Sequence, residues 1–336
     1  MKRILSGLVA AVLTAVSMNT AAHAEVTELR AARQYGLSTL PLMIMEDARL
    51  IEKHARQAGL PDLKVTWVQL GGPAAMNEGL ISGDLHFGAG GAPALITLWA
   101  RTKGTANEVR GVGAVLDMPM ELVTTNPNLK SIRDLTENDK IAVTSIKVSN
   151  QALLLQMEAA KEFGDANYEK LDPLTVSLPH PDAMSLLLSG RSGITAHFSA
   201  MPFQSQELRN PGVRKLLSSY DVLGGPASNT VAFTTKKFHD ANPKAYGAFV
   251  AALQEGIEII NKDKPAAAAT YKRITGTKET LEELTAMLND PQVEMTMTPH
   301  QTLKMASFMH KTNRIKHLPS SWTEMFFENV HRLPGS

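Results

Sequence analysis

Apolar residues recur along this chain with two periods, which divide it into alternating strands and helices. Ile44, Ala48, Ile51, Ala55 and Ala58 step by four, three, four and three, the spacing of one helical face, between Pro41 and the pair Gly59 and Pro61. Pro suits a first helical turn, whose N–H groups lack partners within the helix, and Gly suits the position past its end. A single helix is therefore predicted from Pro41 to Ala58. Shorter β-rich runs read as strands at 29–33, 64–70, 111–116, 120–125, 141–144 and 231–235. Apolar helices follow at 94–100 and from Asn150, where Leu153, Met157 and Ala160 share a face, and 129–135 is a short helical piece. Beyond Pro243 the pattern is mainly helical, with Phe249, Leu253, Ile257 and Ile260 in one stripe that packs most simply on the first half of the chain.

One of these blocks occurs twice. Val68, Leu70, Pro73, Ala75, Met76 and Leu80 match Val176, Leu178, Pro181, Ala183, Met184 and Leu188 at one constant offset. Ser82-Gly83 and His86-Phe87 recur after small slips as Ser189-Gly190 and His197-Phe198. Each copy reads strand, turn, helix, Ser-Gly, strand, a unit whose parallel strands need a right-handed crossover. Two copies about a hundred residues apart imply two α/β lobes built alike, with a cleft between them. The alternative is one continuous sheet holding both crossovers.

The N-terminus stands apart from this pattern. Lys2 and Arg3 precede an apolar stretch at 4–16, and Ala22-His23-Ala24 fits the small-x-small cleavage rule, so 1–24 is expected to be an export signal. Removing it leaves 336 − 24 = 312 residues, enough for two domains. The division expected is 25–122 with 228–336 for the first lobe and 123–227 for the second. Lys and Arg total 34 against 33 Asp and Glu, without a block of one sign, so nothing steers the chain to nucleic acid or an anionic membrane. The absence of Cys excludes disulfides, thiolate nucleophiles, Cys-ligated metal and a lipid-anchored N-terminus. Together these features predict an exported periplasmic protein, monomeric and without stable membrane insertion.

In two-lobed α/β proteins a ligand lies beyond the carboxyl ends of the strands. That rule selects Gln34, Ser38 and Thr39 after the first strand, and Gly72 and Gly90 as glycines that let backbone approach a ligand. In the second half it selects Ser149 and Asn150, His197 and Ser199, and Asn229 at the return crossing. Ser149 and Asn150 open a helix beside Lys147, where free N–H groups suit an anion, although Ser149 also reads as an ordinary N-cap. His197 offers an imidazole that donates or accepts, and His180 is a lesser candidate in the loop before its helix. The histidines lack metal-ligand spacing, so neither metal nor cofactor is expected. No G-x-S-x-G, H-E-x-x-H or S-x-x-K set is present to suggest catalysis.

Several of these segments carry a family likeness. The L-P-L run at Leu40-Pro41-Leu42, V-Q-L-G-G-P-A-A-M from Val68, and S-G-D-L-H-F-G-A-G-G-A-P from Ser82 come first. K-S-I-R-D-L from Lys130, H-P-D-A-M from His180 and H-F-S-A-M-P-F from His197 complete the series. In order and spacing they resemble the nitrate, sulfonate and taurine class of ABC-importer solute-binding proteins, over nearly the whole mature chain. The pattern departs at His86 and His197, where many relatives carry an acidic residue, and at the irregular Arg191-Ser192-Gly193. The resemblance implies a type II periplasmic binding fold that closes on a small anionic or polar solute by hinge motion and delivers it to a permease and ATPase. Two alternatives stay open. One is a thiamin-pyrimidine synthase-type enzyme on the same fold, whose branch uses a Cys-rich motif absent here. The other is a periplasmic sensor subunit.

Overall fold

A computed structural model describes residues 24–336, and the export signal expected over 1–24 lies, apart from Ala24, outside the described residues. The chain opens with β1 (Glu28–Arg33), α1 (Leu40–Asp47), α2 (Leu50–Gln57), β2 (Lys64–Gln69), α3 (Pro73–Ser82), β3 (Phe87–Gly90), α4 (Ala92–Thr102) and β4 (Val109–Asp117). It then crosses to β5 (Glu121–Thr124), β6 (Ile141–Val143), α5 (Asn150–Phe163), β7 (Thr175–Ser177), α6 (His180–Ser189), β8 (Ala196–Ser199), α7 (Phe203–Leu208), β9 (Arg214–Ser218) and α8 (Ser219–Leu223). It returns through β10 (Ser228–Thr235) into α9 (Lys236–Ala241), α10 (Pro243–Lys262), α11 (Lys264–Thr275), α12 (Leu281–Asn289) and α13 (Thr302–Lys311).

The strands form two five-stranded mixed sheets ordered β2-β1-β3-β10-β4 and β7-β6-β8-β5-β9. The repeated block occupies the same places in both. β2-α3-β3 and β7-α6-β8 each straddle one parallel strand, and β10 or β5 then runs antiparallel beside the inner member. Each block's helix ends at a left-handed glycine, Gly83 at φ 85° and Gly190 at φ 64°, a conformation that a side chain disfavours. Flanking helices cover both sheets, giving the two-lobed α/β architecture expected from the duplication.

Two expectations are corrected. The helix expected across 41–58 is two, because Ala48 turns out of α1 and Arg49 takes a left-handed φ of 51° before α2 begins. Ile44, Ile51 and Ala55 remain buried because the break preserves the face. The crossing falls a few residues ahead of the expected 122/123 division, since β5 already pairs within the second sheet from Glu121. Met118, Pro119 and Met120 make the passage, and Asp117 anchors its start by accepting from Ser228 Oγ at 3.0 Å and pairing with His300 Nδ1 at 2.5 Å. Burial pushes the Asp117 carboxyl above the usual carboxylate range, and those two partners offset part of the rise.

The helical tail packs on the first lobe, α10 lying against α1 and α2. Its stripe is buried, and Phe249 stacks on Phe87 of β3 with ring centroids 3.8 Å apart and planes 3° from parallel. Truncating that ring leaves a cavity between tail and sheet in the centre of the lobe. Phe249→Ala is expected to cost about 3–5 kcal/mol of unfolding free energy in urea titration, with the loss concentrated in the first lobe.

Candidate functional site

The loops leaving the carboxyl ends of both sheets meet between the lobes and enclose a chamber of about 20 Å³, room for about one water molecule. The lobes touch directly around it. Leu37 N–H donates to Met201 O at 2.9 Å, and Gly72 lies so close to Thr144 O and Ser145 Oγ that a Cβ there would collide with both. Farther out, Arg209 pairs with Glu279 at 2.8 Å and with Glu283, while Arg314 donates to Gln156 Oε1 at 2.7 Å. The cleft is shut.

Four helices begin at this chamber. Pro73 opens α3, Gly91 caps α4, Ser149 caps α5 and His180 opens α6, and all four residues line the wall. The N-terminal end of each helix, with the positive end of its dipole, lies at the chamber, an arrangement that favours a negative or acceptor group, although Ala152 N–H of α5 is taken by Ser149 Oγ and Ala74 N–H of α3 faces Ser145 Oγ at 3.5 Å. No Lys or Arg is among the lining residues. Two lining side chains have a buried polar atom with no partner, Gln34 Nε2 from the first lobe and Asn150 Oδ1 from the second. Asn150 is 4% exposed, and its Nδ2 donates to Asn229 O at 2.7 Å, which leaves the oxygen free.

Of the residues expected from sequence, Gln34, Ser38, Ser149, Asn150 and Asn229 line the chamber together. Ser149 serves its own helix, its Oγ accepting from Ala152 N–H and donating to Ser145 O at 2.8 Å. Thr39 is buried behind the wall, its hydroxyl spent on Gln34 O and Gly36 O. Gly90 abuts Gln34 and Pro73 and yields its place on the wall to Gly91, while Gly72 is a contact between lobes. Ser199 is buried on β8 with Ala200 in the lining instead, and Lys147 is exposed. His86 is structural, its Nδ1 accepting from Arg30 N–H at 3.0 Å and its ring stacked on Phe238.

The main correction concerns the histidines. His197 is fully buried behind the chamber, and His180 stands at the wall in its place. Glu207 Oε1 is 2.6 Å from His197 Nδ1, and His197 Nε2 is 2.8 Å from His180 Nδ1. His180 Nε2 then faces the Gln151 amide at 3.4 Å, and Phe203 stacks on the His180 ring at 5.6 Å. Burial, with His197 alongside, holds His180 well below the usual imidazole range. The signal for His180 was present in the repeat, since the constant offset sets it opposite Gly72, an imidazole where the other copy has no side chain. Gln151 and Glu207 carried no such mark.

A second, larger cavity of about 390 Å³ also lies between the lobes. Arg33 and Tyr35 of the first lobe, Met184 and Phe203 of the second, and Tyr271 and Lys278 of the tail line it. Phe203 thus has one face on this amphipathic space while it stacks on His180 of the inner wall. Among the described residues no cluster of metal-ligating side chains forms, and no helix is long and apolar enough to cross a membrane.

The lowered His180 titration fixes the sign of a pH effect. Below about 6.5 the unfolded chain takes up a proton at this ring that the folded chain refuses, so stability falls with acidification. His180 contributes at most about 1.4 kcal/mol per pH unit there. Melting curves between pH 7.5 and 5 are expected to show a flatter pH slope for His180→Gln than for the unsubstituted chain.

Comparison with solved structures gives the same architecture at low identity. The alkanesulfonate-binding protein SsuA from Xanthomonas axonopodis pv. citri bound to MOPS aligns with TM-score 0.67 and 19% identity, over 88% of this chain and 96% of that one. The periplasmic nitrate-binding protein NrtA from Synechocystis PCC 6803 gives 0.66 and 14%, over 90% and 84%. The zinc-bound ligand binding component of an ABC-type import system from Staphylococcus aureus gives 0.64 and 14%, over 91% and 98%. No curated protein matches the chain. The family described as NMT1/THI5 like matches residues 60–268, from the turn before β2 into α11. That match takes in more than half of the sequence, both copies of the repeated block and most of the chamber wall, and the chain belongs to the NMT1/THI5-like family.

Proposed function

We propose that this protein is the solute-binding component of an ABC import system, which holds a small anionic or polar organic solute between its lobes and delivers it to a permease driven by an ATPase. The carrying observation is the convergence of four helix N-termini on one interlobe chamber that also holds the unpaired Gln34 Nε2 and Asn150 Oδ1. Such a chamber suits a group rich in acceptor oxygens with a donor beside it, such as a carboxylate or sulfonate on a hydroxylated or amide-bearing carbon. The similar proteins named for alkanesulfonate and nitrate binding support that solute class.

A chamber of about 20 Å³ admits no organic solute, so capture requires the lobes to part and close again. The larger cavity beside Phe203 would then take an apolar body, while the polar end sits at the helix termini. The chain works as a carrier, with no bond broken, in the periplasm, after removal of the segment expected to be an export signal.

Ligand that binds only the folded state raises the melting temperature by mass action, by about 2.7 kcal/mol of stability at a hundredfold excess over Kd. A thermal-shift series of sulfonates, aromatic carboxylates, nitrate and pyrimidines is expected to give a shift from one class. No shift from any of them, with folded and ligand-free protein, overturns the reading. For the solute that binds, Asn150→Ala is expected to weaken affinity about tenfold, the size of one lost buried hydrogen bond. Gly72→Val places a side chain against Thr144 O, so small-angle scattering is expected to report a larger radius of gyration with folding intact.

A further inference from the structure

The array behind the chamber raises a question of charge. Glu207 is 0% exposed, its Oε2 has no partner, and its ion-pair partner among the described residues is His197. The other ionisable groups on the packed elements are engaged or exposed. Asp182 of α6 faces solvent, Glu121 of β5 pairs with Lys215 of β9, and Arg209 beyond α7 pairs with Glu279 and Glu283. A lone negative charge in such a place is strongly disfavoured unless a proton accompanies it.

A proton held between Glu207 and His197 has one directional consequence wherever it sits. His197 Nδ1 is committed to Glu207, so His197 Nε2 carries hydrogen and donates to His180 Nδ1. With Nδ1 accepting, the neutral His180 ring has its own hydrogen on Nε2, at the chamber wall. The stack on Phe203, which lies on α7 four residues before Glu207, holds the ring plane. Exchanging the ends of the Gln151 amide, which leaves its shape unchanged, turns oxygen to His180 and nitrogen to Thr144 Oγ1 at 3.2 Å.

We infer that His180 is the specificity-determining donor of the chamber, its Nε2–H resting on the Gln151 oxygen at 3.4 Å in the closed cleft and passing to an acceptor oxygen of the solute that displaces this long contact, and that Glu207 and His197 are positioning residues that fix this tautomer. With Gln34 Nε2 on the opposite lobe, the chamber offers one side-chain donor from each lobe and Asn150 Oδ1 as an acceptor. This rests on the solute-binding reading above and narrows it. The second lobe meets oxygen acceptors through His180 Nε2–H and not through a cationic side chain, so a donor-only cation finds no partner at that atom.

Two-bond ¹H–¹⁵N correlation of histidine-labelled full chain at pH 7 reads the tautomer without a ligand. The expected pattern is protonated Nε2 and bare Nδ1 on His180, and the reverse pattern overturns the inference. In Glu207→Gln, which still folds by its amide spectrum, the Nδ1–H form of His180 is expected to appear, because an amide can donate or accept toward His197. An unchanged pattern there overturns the positioning role of Glu207. Methanesulfonate, whose three oxygens accept and do not donate, is expected to shift the His180 Nε2–H signal, and methylammonium to leave it in place. A methanesulfonate response at the Ser149 and Asn150 amides with His180 silent overturns the donor contact alone. Silence at every chamber signal overturns the solute-binding reading while the tautomer result stands.

Discussion

The structure depends on bringing four helix N-termini to one point. Each carries roughly half a positive charge, and α3, α4, α5 and α6 all aim theirs into a space that holds about one water molecule. Unshielded, that convergence opposes closure of the lobes. The nearby acceptors therefore have an energetic role: Thr144 O and Ser145 Oγ beside Gly72, Asn150 Oδ1 against Gly91, and Asn229 O under Asn150 Nδ2. A solute oxygen would take the same role more completely, which is why the wall needs no Lys or Arg to favour one.

Much of the architecture was legible because it was written twice. The constant offset between the copies fixed two like lobes, and both sheets show the same strand order around the block. What escaped was what hydrophobic period cannot see. Ile44, Ile51 and Ala55 keep one buried face across the break at Arg49, so the spacing is the same for one helix or two. Residues 120–125 read as a strand whichever sheet receives them, and only pairing with β8 and β9 decided it. In the site, the rule of strand ends found Gln34 just past β1, Ser38 in the loop between β1 and α1, and Asn150 at the start of α5, and the return crossing gave Asn229 at the start of β10. It misplaced the histidine because His197 lies within β8, where alternation of faces turned it toward α7 and away from the cleft. Glu207 sits in a helix of six residues, with nothing in its surroundings to mark it.

The repeat also shows how two like lobes acquire different tasks. At matched positions the first copy has Gly72 and the second His180. The glycine lets the first lobe press backbone against Thr144, and the imidazole fills the equivalent space in the second lobe with a hydrogen-bonding ring tied to Glu207. A side chain at position 72 would hold the cleft open. Losing the ring at position 180 would remove the chamber's link to its buried carboxylate. One lobe is thus shaped for close approach, while the other places a ring tied to a buried carboxylate at the same point.

Closure itself is balanced on weak contacts. Arg209 is 46% exposed where it meets Glu279 and Glu283, and Lys311 is 58% exposed where it meets Asp165. The pairs exposed on both sides, Arg209–Glu283 and Lys311–Asp165, contribute about 0–1 kcal/mol each, and salt reduces that further, whereas Glu279 is fully buried and its pair with Arg209 is screened less. Against these contacts stands the mutual repulsion of the helix termini. A ligand shifts the equilibrium between open and closed lobes only by its differential affinity for the two forms. Micromolar binding corresponds to about 8 kcal/mol. Strong latches would trap the lobes shut, whereas weak exposed pairs leave more of the decision to the group at the helix termini.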